Sequence, residues 1–510
     1  MLTEGEIVGQ KNGVQKVYCF LQREQLLKRY SLCLLLIFSF LCSAVENRIQ
    51  FENVTQEVGL QKLGNEKASW ADLDDDGWVD LISQGTIWKN IKGQKFLDVT
   101  KESGVASASG ACVVADFNGD GQKDLYFASR GGSYYLGNGN FKFTKGNAFK
   151  NEAPSTRSAC AVDINNDGYV DLYVANYEVW KKQKGYRDII LRNEQGAFVK
   201  QWEAPDEKLM RGRGATSCDF NNDGLMDIYV SNYRLMPNFL WVNQGNWTKS
   251  DKAREYGCAG GERKNVAFKN SVKRPYYSSG HTIGSLWADF NNDTYFDLFV
   301  GNFSHPPAYQ DRPQFLENGG PAKKYHFIDK SAVAKIPWQE SYSSPAAADI
   351  DNDGLEDIFF NTVYPRDNGR LFHNLGEWKF KDITPQSRIQ EKSSYQNAFA
   401  DFDNDGRIDL LTGGRLYRNL SDTGNWLKIT LVGKAPNTSA IGAKVIVGGD
   451  DQKYIRQVEA GTGEGNQNDL GLHFGIGKNQ GLVPVKVIWL NGNISDYEMK
   501  ANSIRSFEQF

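Results

Sequence analysis

The sequence predicts an all-β protein: a seven-bladed β-propeller followed by a small C-terminal β domain. Three observations predict it. A short acidic motif recurs seven times, each copy follows a strand-like run of small residues, and each is followed by further strand-like elements. Composition agrees, since aromatic residues are 13% of the 510 and Gly numbers 51 against 14 Pro, which favours short strands and tight turns.

The N-terminal 44 residues read as a leader. Lys28 and Arg29 precede the apolar run SLCLLLIFSFLCSA, Ser31 to Ala44, which is short for a membrane span of about 20 residues and has the build of a signal peptide. The mature chain is expected to begin near Val45, to be secreted or held at the cell envelope, and to keep no stable membrane span. Removing the leader takes Cys19, Cys33 and Cys42 with it. Cys112, Cys160, Cys218 and Cys258 remain, too few for a disulfide framework and placed as small buried apolar residues.

The propeller is assigned to residues 45–420. Its acidic copies begin ADLDDDG at Ala71, ADFNGDG at Ala115, VDINNDG at Val162, CDFNNDG at Cys218, ADFNNDT at Ala288, ADIDNDG at Ala348 and ADFDNDG at Ala400. Their first aspartates stand from 44 residues apart (Asp72 to Asp116) to 70 (Asp219 to Asp289), a spacing suited to a four-stranded unit. The strand before each loop is rich in small residues, as in ACVVA, SACAV and GATSC, which suits an inner strand near a propeller axis. After each loop come elements such as TIWKN, IILRN, RLFHN and RLYRN, then others beginning with Phe, as in FLDVT and FKDIT. FENVT, near residues 51–55, precedes any blade of its own, and the seventh blade lacks an outer strand. The N-terminal strand is therefore expected to close blade seven and remove the exposed edges.

Each loop reads D-x-[DN]-x-D-[G/T]-x-x-D. A hard cation such as Ca²⁺ takes six to eight oxygens, which alternate side chains and one carbonyl of a tight loop supply. The candidate ligand sets, with the seventh-position residue giving its carbonyl, are Asp72, Asp74, Asp76, Trp78 and Asp80; Asp116, Asn118, Asp120, Gln122 and Asp124; Asp163, Asn165, Asp167, Tyr169 and Asp171; and Asp219, Asn221, Asp223, Leu225 and Asp227. The remaining sets are Asp289, Asn291, Asp293, Tyr295 and Asp297; Asp349, Asp351, Asp353, Leu355 and Asp357; and Asp401, Asp403, Asp405, Arg407 and Asp409, giving up to seven calcium sites. Two carboxylates ~5 Å apart at an effective dielectric near 20 repel by roughly 3 kcal/mol, which a cation offsets. An EF-hand is excluded: the twelfth positions are Ser83, Phe127, Val174, Val230, Val300, Phe360 and Thr412, none a bidentate ligand. Blade five departs from the pattern at Thr294, where the other loops have Gly.

Strand parity places all seven acidic loops on one face. The opposite face receives the longest connections, including the basic segment from Lys252 to His281, and long loops on a rigid scaffold are usual binding places. Its candidate ligand residues are Tyr177, Trp180, Tyr186, Tyr233, Arg234, Phe303, His305, Tyr309, Arg312, Tyr364 and Arg366, types favoured in recognition hot spots. The formal charge of −3 with no basic face argues against nucleic acid. The expected partner is an extracellular protein or an acidic glycan.

With these motifs in view, the loops resemble the FG-GAP or VCBS repeats of integrin α-subunit propellers, from about Ile49 to Leu420. The segment 421–510, with NWLKITLVGKAPNTSAIGAKVIV, QVEAGTGEGNQNDLGLHFGIG and VKVIWLNG, is similar to the ASPIC/UnbV domain. The pairing resembles the cartilage acidic protein family. That resemblance implies extracellular calcium binding and adhesion or matrix roles; it does not imply an enzyme activity, and none is expected. A calcium-dependent lectin is the alternative. A hydrolase or lyase is less favoured, because His281, His305, His326, His373 and His473 are scattered and form no triad or zinc spacing. The polar GTGEGNQND stretch is assigned no chemistry, and the C-terminal domain is expected simply to dock on the propeller.

Overall fold

A computed structural model describes residues 49–510 except 107, 148, 183, 206–210, 261–279 and 304–311. The leader, His305, Tyr309 and most of the basic 252–281 segment lie outside the described residues. Residues 49–510 form one compact unit.

Seven four-stranded antiparallel sheets carry the acidic loops, one each. The innermost strands are Ser69–Ala71, Ala111–Ala115, Thr156–Val162, Gly212–Cys218, His281–Ala288, Tyr342–Ala348 and Asn397–Ala400. Each neighbours the next, and the last neighbours the first, so the sheets close into a ring. In the seventh sheet the outermost strand is Phe51–Asn53, paired antiparallel with Asn419 to Tyr417. The second strands, such as DLYVAN and DIYVSN, are buried at every position because a neighbouring blade covers each side. Their unbroken apolar runs are the sequence record of that double burial. Between adjacent blades lie separate apolar cores, for example Trp70, Leu81, Ala400 and Leu411 between blades one and seven. Cys112, Cys160, Cys218 and Cys258 are free and buried. No described helix is long and apolar enough to cross a membrane.

The C-terminal segment forms a three-stranded mixed sheet, in which Asn425–Val432 pairs parallel with Ser503–Glu508, and a four-stranded antiparallel sheet. It covers the acidic-loop face. Between Lys453–Gln457 and Leu472–Gly477, the segment 458–469 leaves this domain and enters the centre of the ring. It meets the inner strand or its approach in every blade. Gln467 O accepts from Trp70 N (3.1 Å) and Gln467 Oε1 from Val114 N (2.9 Å). Ala460 O accepts from Ala161 N (2.8 Å), Gly463 N donates to Ser285 O (3.0 Å), and Glu464 N donates to Ser344 Oγ (3.0 Å). Asn468 Oδ1 accepts from Phe399 N (2.9 Å), and Glu464 pairs with Arg213.

The glycines of GTGEG now have a cause. Gly461 sits at φ 102 with a Cβ position only 2.4 Å from Ala159 O, and Gly463 at φ 57 with one 2.5 Å from Ser344 Oγ, so neither tolerates a side chain. The small residues of the inner strands also gain a second reason, because they border an occupied axis. A Cβ on Gly214 or Gly284 would strike Gly463 itself, at 2.3 and 2.6 Å.

Candidate functional site

Each acidic loop is built the same way. The first carboxylate takes backbone amides from the fifth and sixth residues: Asp72 from Asp76 (3.1 Å) and Gly77 (2.8 Å), Asp349 from Asp353 (3.1 Å) and Gly354 (2.8 Å). The fifth takes the seventh amide, as Asp76 does from Trp78 (3.0 Å) and Asp167 from Tyr169 (2.8 Å), which turns the seventh residue's backbone into the loop. The ninth is buried and braces the blade, with Asp297 accepting from Phe290 N (2.9 Å) and Asn318 N (2.8 Å). Each carboxylate oxygen that takes one amide keeps a lone pair for a cation.

Thr294 does not disturb this pattern. It adopts φ 71, the left-handed conformation that Gly77 holds at φ 84, and donates to Asp289 Oδ2 at 2.8 Å as the glycines do. The strand beside this loop adds a carboxylate, Glu317, whose Oε1 accepts from Asn291 Nδ2 (3.3 Å).

Two bonding patterns tie loop to loop, and sequence reasoning missed both. The fourth loop residue is left-handed, at φ 55 for Asp75 and 59 for Asn352, and its Asn amide reaches the next blade: Asn404 Nδ2 donates to Gly77 O (2.9 Å) and Asn352 Nδ2 to Gly406 O (2.8 Å). The Asn closing the third strand clamps the preceding blade, since Asn318 Nδ2 donates to Phe220 O (2.9 Å) and to its own Phe296 O (3.1 Å). Asn90, Asn193, Asn243, Asn374 and Asn419 do likewise, whereas blade two has Gly137 in that place. The recurring final Asn of TIWKN and RLYRN was the signal.

The residues fit a hard divalent cation. Asp74 Oδ1, Asp163 Oδ1, Asp227 Oδ2, Asn291 Oδ1, Asp351 Oδ1 and Asp403 Oδ1 are buried with no hydrogen-bond partner among the described residues, one in each blade except the second. Carboxylate oxygens of Asp72, Asp74 and Asp80, of Asp349, Asp351 and Asp353, and of Asp401, Asp403 and Asp409 converge within 4.8 Å. Burial, reinforced by neighbouring carboxylates, raises Asp72 to about 6, Asp124 and Asp401 to about 7, and Asp80 to about 8. Such groups favour any positive partner.

Protein cations already serve some loops. Lys89 bonds Asp74 and Asp76, Arg418 Nε stands 2.9 Å from Asp403, and Lys444 of the C-terminal domain stands 2.8 Å from Asp219. His373 Nδ1 lies 2.9 Å from Asp357. Burial opposes charge on that ring, but the bond to Asp357 and the charges of Asp357 and Asp351 outweigh it and raise His373 to about 9.

On the opposite face the structure brings together Tyr177, Tyr233, Phe303 and Tyr364, with ring centroids 6.2, 6.4 and 5.2 Å apart in successive pairs. Tyr177 (6% exposed) and Phe303 (2%) are a correction: they are packing residues, because neighbouring rings and strands cover them. Tyr233 and Tyr364 are half-buried, Arg366 and Arg312 exposed, and Tyr186 half-buried away from the ring cluster under Lys184. Arg234 and Arg366 pair with Glu178 and Glu340. The side chain of Trp180 lies outside the described residues.

Beneath the aromatic cluster, Arg213 lies over Tyr177, Tyr233 and Tyr395, with its guanidinium carbon 4.9, 5.5 and 5.2 Å from the ring centroids. It also pairs with the wholly buried Glu464 of the axial segment. Neither residue was singled out from the sequence, since their meeting depends on the path of a distant loop.

Comparison with known proteins decides the assignment. An FG-GAP-like repeat model matches residues 72–127, 116–174, 289–360 and 349–412, and an ASPIC and UnbV model matches 433–507. The chain carries FG-GAP-like repeats and an ASPIC and UnbV domain. It is 25% identical to cartilage acidic protein 1 of Mus musculus over 77% of this chain and 63% of that one. Against the Homo sapiens protein the identity is 25%, over 77% and 62%. The chain thus spans less than two thirds of these relatives' length. Among solved structures, Saccharomyces cerevisiae Sqt1 matches with TM-score 0.41 at 8% identity, covering 89% of this chain and 99% of that one. The exotype rhamnogalacturonan lyase YesX matches with TM-score 0.33 at 10% identity, over 86% and 83%. Neither likeness bears on the FG-GAP loops or the face opposite them.

Proposed function

We propose that this chain is an extracellular recognition module whose ring is stabilised by calcium on one face and binds a protein or an acidic glycan on the other. The observation that carries the reading is the set of buried loop oxygens without partners in six of the seven FG-GAP loops. Loop oxygens of this kind suit Ca²⁺, which takes oxygen ligands in flexible geometry. The ion would be held by the carboxylates and amides at the first, third, fifth and ninth positions and the seventh carbonyl. It would neutralise their mutual repulsion. With the ASPIC and UnbV domain over the acidic face, the opposite face is left for a partner, and Tyr233, Tyr364 and Arg366 suit that role. The homology to cartilage acidic protein 1 supports an extracellular setting.

The test has two arms. Metal analysis of purified protein, with and without chelator, should find calcium, and chelation should lower the melting temperature. Binding to matrix proteins and to an array of glycans should fall when Tyr233, Tyr364 and Arg366 are changed to Ala. A folded, metal-free protein indifferent to EDTA refutes the calcium arm. Binding unaffected by the substitutions refutes the assignment of the face.

A further inference from the structure

The face opposite the FG-GAP loops has a second feature, bordering the aromatic cluster at Tyr177. A cleft of about 340 Å³ lies where blades one, two and three meet. Its walls come from the approaches to the three inner strands (Glu66 and Lys67, Ser109 and Gly110, Pro154 to Arg157) and from the connections after the second strands of blades one and two (Gln84, Ala128 to Arg130). The lining includes three cations, Lys67, Arg130 and Arg157, against one acid, Glu66.

That imbalance extends inward. Lys67 is 4% exposed and donates from Nζ to Arg157 O (2.8 Å) and to the backbone oxygen of Glu464, with Glu464 Oε2 3.9 Å away. Arg213 holds the other oxygen of Glu464. A single buried carboxylate thus faces Lys67, Arg157 and Arg213, and all three pull its pKa down against the effect of burial. Burial pushes Lys67 itself down to about 8, with Arg157 and Arg213 adding to the effect. Arg157 Nε is buried with no hydrogen-bond partner among the described residues, its guanidinium carbon 5.3 Å from the ring centroid of Tyr177. Concentrated positive charge in a cleft with protein walls draws anions from solution.

The rest of the lining narrows the ligand. Ser109, Ser129, Ser155, Thr156 and Gln84 supply hydroxyl and amide groups, and Pro154 and Ala128 are the apolar side chains. The volume is near the lower end of small-ligand sites, about 300–1,000 Å³, but the apolar lining typical of such sites is scarce. A ligand dense in hydroxyls and carrying one negative group matches this chemistry.

We propose that this cleft is a subsite for the carboxylate-bearing residue of an acidic glycan, with Arg157 and Arg130 holding the carboxylate and the Ser, Thr and Gln side chains meeting sugar hydroxyls. The proposal rests on the ligand-binding role assigned above to this face and gives it a location, beside the Tyr177 end of the aromatic cluster. Lys67 remains committed to Glu464 and sets the local potential.

The experiment is calorimetric titration of the mature chain in calcium-containing buffer with a short oligogalacturonate, using a neutral malto-oligosaccharide of equal length as control. The acidic probe should bind, more weakly as salt rises, and the neutral one should not. Arg157→Gln and Arg130→Gln should each weaken binding by about tenfold, as expected for a charge-assisted hydrogen bond of ~1.5 kcal/mol. Arg130 is exposed, so its variant should fold even if Arg157→Gln, which leaves Tyr177 and Glu464, does not. Lys478→Gln, on the exposed surface of the C-terminal domain, should leave the titration unchanged. An acidic probe that fails to bind overturns the subsite, as does binding indifferent to both Arg130→Gln and Arg157→Gln. Binding lost only on Tyr233→Ala or Tyr364→Ala overturns the subsite while sustaining the broader role of the face.

Discussion

Replacing Glu464 with Gln keeps the side-chain shape and removes one charge from the centre of the ring. Glu464 is 0% exposed, and its partners Lys67 and Arg213 are 4% and 5% exposed. Breaking a buried ion pair by removing one member costs about 3–5 kcal/mol, because the remaining charge is left without compensation. Here three cations remain, which places the expected cost in the upper half of that range. A chain of this size loses roughly 1 °C per kcal/mol, so the melting temperature should fall by ~4–5 °C. Circular dichroism melts in calcium-saturated buffer measure this directly. The companion variant Arg213→Met should also destabilise, and the double variant should cost less than the sum of the two, because the second change removes a charge the first left unpaired. A Glu464→Gln protein melting within ~1 °C of the parent, or strict additivity in the cycle, would refute the axial segment as a structural keystone.

Three further outcomes are expected. Extracellular calcium modules have dissociation constants near 0.1–1 mM, so ~10 mM calcium should add about 1.4–2.7 kcal/mol per occupied site, seen as a rise in melting temperature that EDTA reverses. In the chelated protein the pH dependence should run against ordinary acid denaturation. Asp72, Asp124 and Asp80 have folded pKa values near 6, 7 and 8, above the ordinary 3.8. The folded state holds these protons more tightly, so the loops oppose folding least below about pH 4 and progressively more as pH rises to about 8. With calcium the loop contribution should instead grow with pH, as deprotonation frees ligands, and urea titrations at pH 5 and 8 distinguish the two trends. Finally, Asn318→Ala should orphan the buried carbonyls of Phe220 and Phe296, with an expected cost of about 2–4 kcal/mol in urea unfolding.

The parts of this molecule visible in the sequence are those whose chemistry is local. A cation loop is specified by residues at most eight positions apart, so D-x-[DN]-x-D-G announces its own geometry, and even Thr294 keeps the turn. The double burial of the second strands is legible for the same reason, as the apolar run in DLYVAN. The axial segment was not legible. GTGEG reads as a generic polar loop until Gly461 is seen against Ala159 and Gly463 against Ser344, contacts set by how a separate domain sits on the ring. The asparagine clamps fall between these cases, since the repeated Asn was visible but its acceptor belongs to another blade. Aromatic residues on the long loops misled for a related reason, as Tyr177 and Phe303 have the composition of a hot spot and the burial of a core.

The outermost strand of the last sheet is supplied by residues at the start of the described chain, while its axis is filled by a stretch near the other end. Synthesis on the ribosome therefore leaves a ring that stays hollow until residues 458–469, which follow all seven blades, have emerged. A nascent or C-terminally clipped product should display an open pore with unpaired cations inside, a state that quality-control proteases can distinguish from the finished article.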